Sequence, residues 1–145
     1  MYKSILIPTD GSELSRTAIE TGVALAKALG ARVVGIAVVL PSGDFAVGEF
    51  GLVSDPAEFT KANALSADRN LAVISEAAKN AHVAAETLQI SHDSPWKAIV
   101  ETATSKGCDL IVMASHGRKG LDALVIGSET NKVLTHSKIP VLVTR

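Results

Sequence analysis

Short apolar runs alternate along the chain with longer stretches of helical periodicity. Five runs have the length and the β-branched content of strands: residues 5–7, 33–40, 83–90, 110–114 and 141–143. Most of them are continuously apolar, which is typical of strands buried on both faces of a parallel sheet. The pattern therefore predicts a parallel sheet covered by helices.

The four stretches between these runs have start and stop signals of helices. Serine or proline stands at each predicted beginning, and glycine or proline closes most of the predicted ends. The signals are Ser12 and Gly30 for the first helix, Pro56 and about Asn80 for the second, Ser94 and Gly107 for the third, and Ser128 as cap with Pro140 beyond the end for the fourth. Strands and helices therefore alternate through residues 1–145, which predicts one doubly wound α/β domain.

Two connections are longer than packing requires. Residues 40–55 contain three glycines and two phenylalanines, and they are either a flap or partner surface or a plain surface loop. Residues 116–126 form the second long connection, and they carry the cationic side chains of Arg118 and Lys119.

Composition and charge exclude several functions. The chain has 14 Lys and Arg against 15 Asp and Glu, and only 3% aromatic residues, so it lacks both the basic surplus and the stacking platform of nucleic-acid binders. One cysteine, Cys108, cannot form an internal disulfide. There is no long apolar run to cross a membrane and no signal-peptide pattern, so we expect a cytoplasmic location without a membrane or nucleic-acid partner.

Ligands of open parallel sheets bind beyond the carboxyl ends of the strands. Pro8, Thr9 and Asp10 follow the first predicted strand, Val38 lies near the end of the second, and Ala114 ends the fourth. Asp10 is either a turn residue or a carboxylate that accepts hydrogen bonds from ribose hydroxyls.

The Gly127-Ser128 pair at the predicted start of the last helix suits a phosphate group. Glycine allows close approach, and the free N–H groups of a helix start attract anions. A simple helix cap is the alternative interpretation. The Walker and dinucleotide fingerprints are both absent from the sequence.

The sequence resembles the universal stress protein family over essentially its whole length. The resemblance is carried by residues 5–12, by residues 113–118, and by residues 127–128 and 139–143. Nucleotide-binding members of that family contain Gly-x-x-Gly, nine residues, and Gly-Ser/Thr. Here Gly117, nine residues and Gly127-Ser128 match the second part, whereas Ala114 replaces the first glycine.

This resemblance implies a sheet of order 3-2-1-4-5 that binds ATP between its first and fourth strands, and magnesium normally accompanies a bound triphosphate. It also implies a homodimer formed through residues 139–144, from Ile139 to Thr144. The implied binding residues are Pro8, Thr9, Asp10 and Val38 for adenine and ribose, Gly117, Gly127, Ser128, Glu129 and Thr130 for phosphates, and Met113, Ala114 and Arg118 beside them.

Three functions remain open at this stage. The first is an ATP-binding stress-response or regulatory module, and the second is a slow ATP-hydrolysing enzyme in which only Asp10 could serve as the catalytic group. The third is a nucleotide-free dimeric interaction protein. The methyl group of Ala114 favours this third function because it could crowd a ligand. A Glu129 side chain that points into the crevice would also repel phosphates. Ser115, His116 and Asp10 have the residue types of a hydrolase triad, but the Gly-x-Ser-x-Gly elbow is missing.

Overall fold

The computed structural model describes residues 1–41, 55–117 and 126–145. In these residues strands and helices alternate, as the hydrophobic pattern predicts. The strands are β1 Ser4–Pro8, β2 Arg32–Val39, β3 Ala85–Ser91, β4 Leu110–Ala114 and β5 Val141–Thr144, and the helices are α1 Glu13–Leu29, α2 Pro56–Ala81, α3 Pro95–Ser105 and α4 Ser128–His136.

All strand pairs are parallel, and the sheet order is β3-β2-β1-β4-β5. The predicted α/β class and the predicted order 3-2-1-4-5 are therefore confirmed. β1 lies between β2 and β4, and Ile5 is in register with both Val33 and Leu110. The strand order reverses at this point, so a crevice forms beyond the carboxyl ends of β1 and β4.

Helices cover both faces of the sheet because alternate strand residues face opposite sides. Ile5 and Ile7 of β1 pack in one buried cluster with residues of α1 and α2. Leu6 packs in a second cluster with residues of α3 and with Val133 of α4. The two hydrophobic layers hold the strand ends, and the turns that follow them, in fixed positions.

The ends of α1 and α2 follow the predicted signals. The Ser12 hydroxyl accepts a hydrogen bond from the Ser15 N–H at 3.2 Å, and Gly30 ends α1 with a φ of 65°. Pro56 occupies the first turn of α2. These signals are local, which is why the sequence alone locates them.

Several predicted strand ends differ by one or two residues from the observed ones, and the predicted cap of α4 is wrong. β3 begins at Ala85 and not at residue 83, because His82 ends α2 with a φ of 58° and Val83 N–H donates back to Ala78 O at 2.9 Å. β2 ends at Val39. Ser128 does not cap α4: it is the first helical residue, and Gly127 occupies the N-cap position without a side-chain bond.

The expectations for the 40–55 connection and for Arg118 and Lys119 concern residues 42–54 and 118–125, which lie outside the described residues. In the part of the chain that is described, no helix has the length and apolarity needed to cross a membrane.

Candidate functional site

A cavity of about 680 Å³ opens beyond the carboxyl ends of β1, β2 and β4. It brings together every site residue predicted from the sequence that the structure describes, and Arg118 lies outside that part of the chain. The predicted residues that line it are Pro8, Thr9, Asp10, Val38, Met113, Ala114, Gly117, Gly127, Ser128, Glu129 and Thr130. Their convergence is observed, and their part in ligand binding stays a prediction.

The turn between β1 and α1 holds Asp10 at the cavity. Thr9 N–H donates to Ile36 O at 2.9 Å, and the Thr9 hydroxyl accepts from Gly11 N–H at 3.2 Å. Asp10 Oδ1 accepts from Ser12 N–H at 2.9 Å, which closes a side-chain turn typical of aspartate. The Thr9 side chain is therefore engaged in the turn itself, whereas the Asp10 carboxylate is fixed where a ligand can meet it.

The backbone of Val38 faces the crevice. Thr9 N–H donates to Ile36 O, so Ile36 faces β1, whereas His92 N–H donates to Val39 O, so Val39 faces β3. Because direction alternates along a strand, the N–H and C=O of Val38 face the same side as those of Ile36. β1 has ended there, since its last residue, Pro8, is in register with Ile36. In the described part of the chain, a donor and an acceptor of β2 therefore border the cavity with no strand beside them.

The start of α4 supplies the other end of the cavity. Gly127 N–H donates to Ser115 O at 2.8 Å, and the first intrahelical bond runs from Asn131 N–H to Gly127 O at 2.9 Å. The N–H groups of Ser128, Glu129 and Thr130 precede that bond and have no partner in the helix. These groups and the helix dipole create a site of positive potential at the cavity wall.

The buried Thr130 side chain fixes α4 against β4. Its hydroxyl donates to Ala114 O at 2.8 Å, and Thr130 is only 3% exposed. This bond satisfies the last carbonyl of β4 and sets the distance between that strand and the start of the helix. The anion-attracting N–H groups are therefore held rigidly relative to the sheet.

The Glu129 side chain has an arrangement that the sequence did not indicate. Its Oε2 accepts from Trp96 N–H at 2.9 Å, and its Oε1 accepts from Lys132 Nζ at 3.2 Å. Ser94, at the N-cap position of α3, makes no side-chain cap bond. Glu129 therefore caps α3 from the neighbouring helix, and its charge is offset by the α3 terminus and by Lys132.

Ala114 lies in β4 with an ordinary strand backbone. Among the described non-glycine residues only His82 has a positive φ, so Ala114 carries no strain that a glycine would relieve. The residue lines the cavity and is 8% exposed. The only consequence of alanine here is one methyl group at the cavity surface.

Ser115 and His116 do not form a hydrolytic site. Ser115 Oγ lies 2.9 Å from His116 Nδ1, but Ser115 is 3% exposed and is not part of the cavity lining. His116 lines the cavity and is 92% buried, and its Nε2 has no hydrogen-bond partner among the described residues. Because a substrate in the cavity cannot reach the Ser115 hydroxyl, these residues do not form a catalytic triad.

One wall of the cavity was missed at the sequence level. Phe59, Asn63, Ser66 and Asn70 of α2 line it, together with Pro95 and Ile99 of α3. The available signal was the helical spacing of three polar residues on an otherwise alanine-rich helix. That signal identifies a shared face of α2, but it does not say what the face meets.

Magnesium would depend on the ligand rather than on a protein cage. In residues 1–41, 55–117 and 126–145, no group of three His, Cys, Asp or Glu side chains could hold a metal ion. Magnesium bound with a nucleotide takes most of its ligands from phosphates and water and needs one or two carboxylates at most. In the described part of the chain the cavity is lined by two carboxylates, of which Glu129 is engaged with α3 and Asp10 accepts from Ser12 N–H.

Known proteins resemble the chain over its whole length. The model of the universal stress protein family matches residues 1–145. The universal stress protein MJ0531 of Methanocaldococcus jannaschii is 34% identical over 148 residues, which cover 100% of this chain and 83% of that protein. The solved structure of MJ0577, from the same organism, is 28% identical with a TM-score of 0.83, and the match covers 99% of this chain and 96% of the other.

Two further solved structures contain nucleotides. A universal stress protein in complex with cAMP has a TM-score of 0.71 at 23% identity, and the match covers 99% of this chain and 97% of the other. A universal stress protein from Archaeoglobus fulgidus in complex with dAMP has a TM-score of 0.73 at 18% identity, with 99% and 98% covered. At these identities the likeness establishes a shared fold.

Proposed function

The chain belongs to the universal stress protein family, and on that premise we propose that it binds ATP in the crevice between β1 and β4 and acts as a regulatory module. The observation that carries the proposal is that the two ends of the cavity offer different hydrogen-bonding groups. Among the described residues, one end has the N–H groups at the start of α4 that have no partner in their own helix, and the other has the backbone of Val38, which β1 does not pair. An anionic tail and a flat base with both donor and acceptor atoms fit these two ends.

The phosphate end is supported by the approach that Gly127 allows. A Cβ atom there would lie 3.2 Å from Ser115 O and 3.4 Å from the His116 Cα, so the backbone of α4 lies directly against the end of β4. The N–H groups of Ser128, Glu129 and Thr130 then face the cavity that both elements line. An anion at such a terminus gains typically 0.3–1 kcal/mol from the dipole alone, and direct N–H bonds add to that.

The nucleoside end is supported by Asp10 and Val38. The N–H and C=O of one strand residue can bond a ring nitrogen and the amino group of adenine, which present an acceptor and a donor side by side. A carboxylate accepts from ribose hydroxyls. Universal stress proteins of known structure have been solved with cAMP and with dAMP, which supports an adenine nucleotide as the ligand class.

A binding role is favoured over catalysis. Phosphoryl transfer needs groups that orient the attacking water and neutralise charge on the leaving phosphate. Among the described residues two carboxylates line the cavity: Glu129 is engaged as the cap of α3, and Asp10 is bound to the β1–α1 turn. Slow ATP hydrolysis therefore stays the second candidate, with Asp10 as the residue on which it would depend.

We also propose that the protein is a homodimer joined through β5. This strand is at the edge of the sheet. Ser115 N–H donates to Thr144 O and Ile111 N–H donates to Pro140 O, so these residues face β4. By alternation the N–H and C=O of Val141 and Val143 face outward. An edge with unpaired backbone groups pairs readily with a second copy across a two-fold axis.

Mass spectrometry of the protein as purified, followed by calorimetric titration with ATP, tests the proposed ligand. We expect a co-purifying adenine nucleotide or, after its removal, saturable binding of one ATP per chain. Titration with and without magnesium shows whether the ion contributes. The absence of binding at millimolar ATP would reject the nucleotide proposal and favour a nucleotide-free interaction protein.

A further inference from the structure

The cavity wall formed by α2 carries a polar stripe whose function the resemblance does not assign. Asn63, Ser66 and Asn70 are spaced by three and four residues and line the cavity together with Phe59. Residues at this spacing share one face of a helix. The stripe extends over about 10.5 Å from Asn63 to Asn70 at 1.5 Å per residue, which is comparable to the length of a nucleoside.

The hydrogen-bonding capacity of this stripe is unused. Within the described residues, the side chains of Asn63, Ser66 and Asn70 make no hydrogen bond, although all three are half-buried. Nearby polar groups of α2 are engaged, since Gln89 Nε2 donates to Asp68 Oδ1 at 2.5 Å and to Ala64 O at 2.8 Å. The partly exposed amides of this wall are therefore available to bond with water or with a ligand in the cavity.

The Asn70 amide lies against Gly11, in the turn that follows Asp10. A Cβ atom at Gly11 would lie 2.8 Å from Asn70 Cγ, and Gly11 has a φ of +80°. The backbone conformation favours glycine, and a side chain at this position would have to displace the Asn70 amide. The amide thus lies against the turn that presents the Asp10 carboxylate.

We propose that this α2 stripe is the nucleoside-recognising wall of the crevice, in which Asn70 binds the ribose hydroxyls and Asn63 binds the base. A carboxylate only accepts hydrogen bonds, whereas a primary amide both donates and accepts. Asp10 and Asn70 together therefore complement a vicinal diol, in which each hydroxyl is donor and acceptor. Asn63, about two helical turns away and towards the start of α2, meets the part of the ligand beyond the sugar. This inference rests on the proposed nucleotide function.

The test compares three leucine variants, because leucine has the same branched arrangement of side-chain heavy atoms as asparagine, although it is bulkier, and lacks the polar atoms. Asn70→Leu and Asn63→Leu remove one amide each from the stripe, and Asn80→Leu is the matched control at an exposed site of the same helix. Each protein is titrated with ATP, 2′-deoxy-ATP, 3′-deoxy-ATP and inosine triphosphate. Far-UV circular dichroism verifies folding.

Loss of one hydrogen bond corresponds to a decrease in affinity of about fivefold. We expect that decrease for ATP in Asn70→Leu, together with a smaller preference for ATP over the deoxy analogues. Asn63→Leu weakens ATP binding and narrows the difference between ATP and inosine triphosphate. Asn80→Leu behaves as the wild type. If Asn70→Leu does not fold, Asn70→Asp replaces it, since it keeps the shape, removes the donor and brings a second negative charge close to Asp10.

The two proposals fail in different ways. If the wild type binds ATP and the Asn63 and Asn70 variants keep its affinities and nucleotide preferences, the proposed nucleoside wall is overturned. The proposed function then stays intact. Wild-type protein that binds none of the four nucleotides would overturn the proposed function and this inference with it.

Discussion

A Cβ atom on Gly117 would lie 2.6 Å from Oδ2 of Asp10. The two residues follow neighbouring strands, β1 and β4, and they meet across the switch point of the sheet. Gly117 is not among the glycines of positive φ, so its φ does not by itself favour glycine. A residue with a Cβ atom at this position would therefore have to displace the Asp10 carboxylate, independently of any ligand.

We predict that Gly117→Ala displaces the Asp10 carboxylate and lowers ATP affinity roughly tenfold, which equals about 1.4 kcal/mol. The free energy of unfolding should decrease by about 1 kcal/mol or less, because Gly117 is exposed. Calorimetry with ATP on Gly117→Ala, Asp10→Ala and the double variant provides the measurement. If Gly117 acts through Asp10, the glycine substitution has no further effect in the Asp10→Ala background. An equal additional loss there would contradict this mechanism.

Gly127→Val is predicted to abolish detectable ATP binding and to destabilise the fold. The backbone of Gly127, with a φ of −60°, tolerates valine, but its Cβ would crowd the carbonyl of Ser115 at 3.2 Å. The start of α4 must then move away from β4, at a cost of about 1–3 kcal/mol that is typical of overpacking. Thermal denaturation and ATP titration measure the two effects. ATP affinity equal to that of the wild type would show that phosphates do not bind at this terminus.

The dimer proposal predicts that Val143→Pro produces a folded monomer. Proline removes an N–H that faces outward from β5, and the bonds between β5 and β4 remain, because these use the alternate residues. Val143→Thr keeps the N–H and is the matched control. Light scattering at micromolar concentration should give a dimer for the wild type and for Val143→Thr. A wild-type monomer, or a dimeric Val143→Pro, would contradict edge pairing through β5.

Asp109 makes a pH-dependent contribution to stability. Burial alone would raise the pKa of its carboxyl, but N–H groups of Ser4 and Lys3 donate to it at 2.9–3.1 Å, and they hold the pKa below its ordinary value of 3.8. The folded pKa is depressed, so the stabilisation is complete above the unfolded pKa and is lost as pH falls through the folded value.

Asp109→Asn should therefore lower the free energy of unfolding at neutral pH by about 1 kcal/mol, discounted for the partial exposure of the carboxylate. Its stability should also fall less steeply than that of the wild type below about pH 4. Urea denaturation between pH 3 and pH 7 checks both statements. Parallel stability curves for the two proteins would show that the bonds to the β1 backbone have no electrostatic component.

The topology was predictable because its determinants are local or periodic. Continuous apolar runs indicated buried parallel strands, and Ser12, Gly30 and Pro56 marked helix ends without reference to the rest of the fold. The predicted start of β3 at residue 83 and the predicted cap at Ser128 were wrong because backbone hydrogen bonds determine both positions. The pattern of side chains does not reveal these bonds.

The contacts within the site were not predictable in the same way. Glu129 caps a helix other than its own, and Asn70 packs on Gly11, a residue of a distant part of the sequence. Neither pair has a periodicity or a local motif. Such contacts depend on how α2, α3 and α4 are positioned over the sheet, and only the assembled structure supplies that information.

The central claim, that this crevice holds ATP although Ala114 replaces the motif glycine, is tested most directly by parallel ATP titrations of the wild type and Ala114→Gly. The alanine adds one methyl at the cavity surface without backbone strain. We predict that the wild type binds ATP and that Ala114→Gly binds it at least about fivefold more tightly, as relief of about 1 kcal/mol of crowding implies. Absence of binding in both proteins at millimolar ATP would contradict the claim.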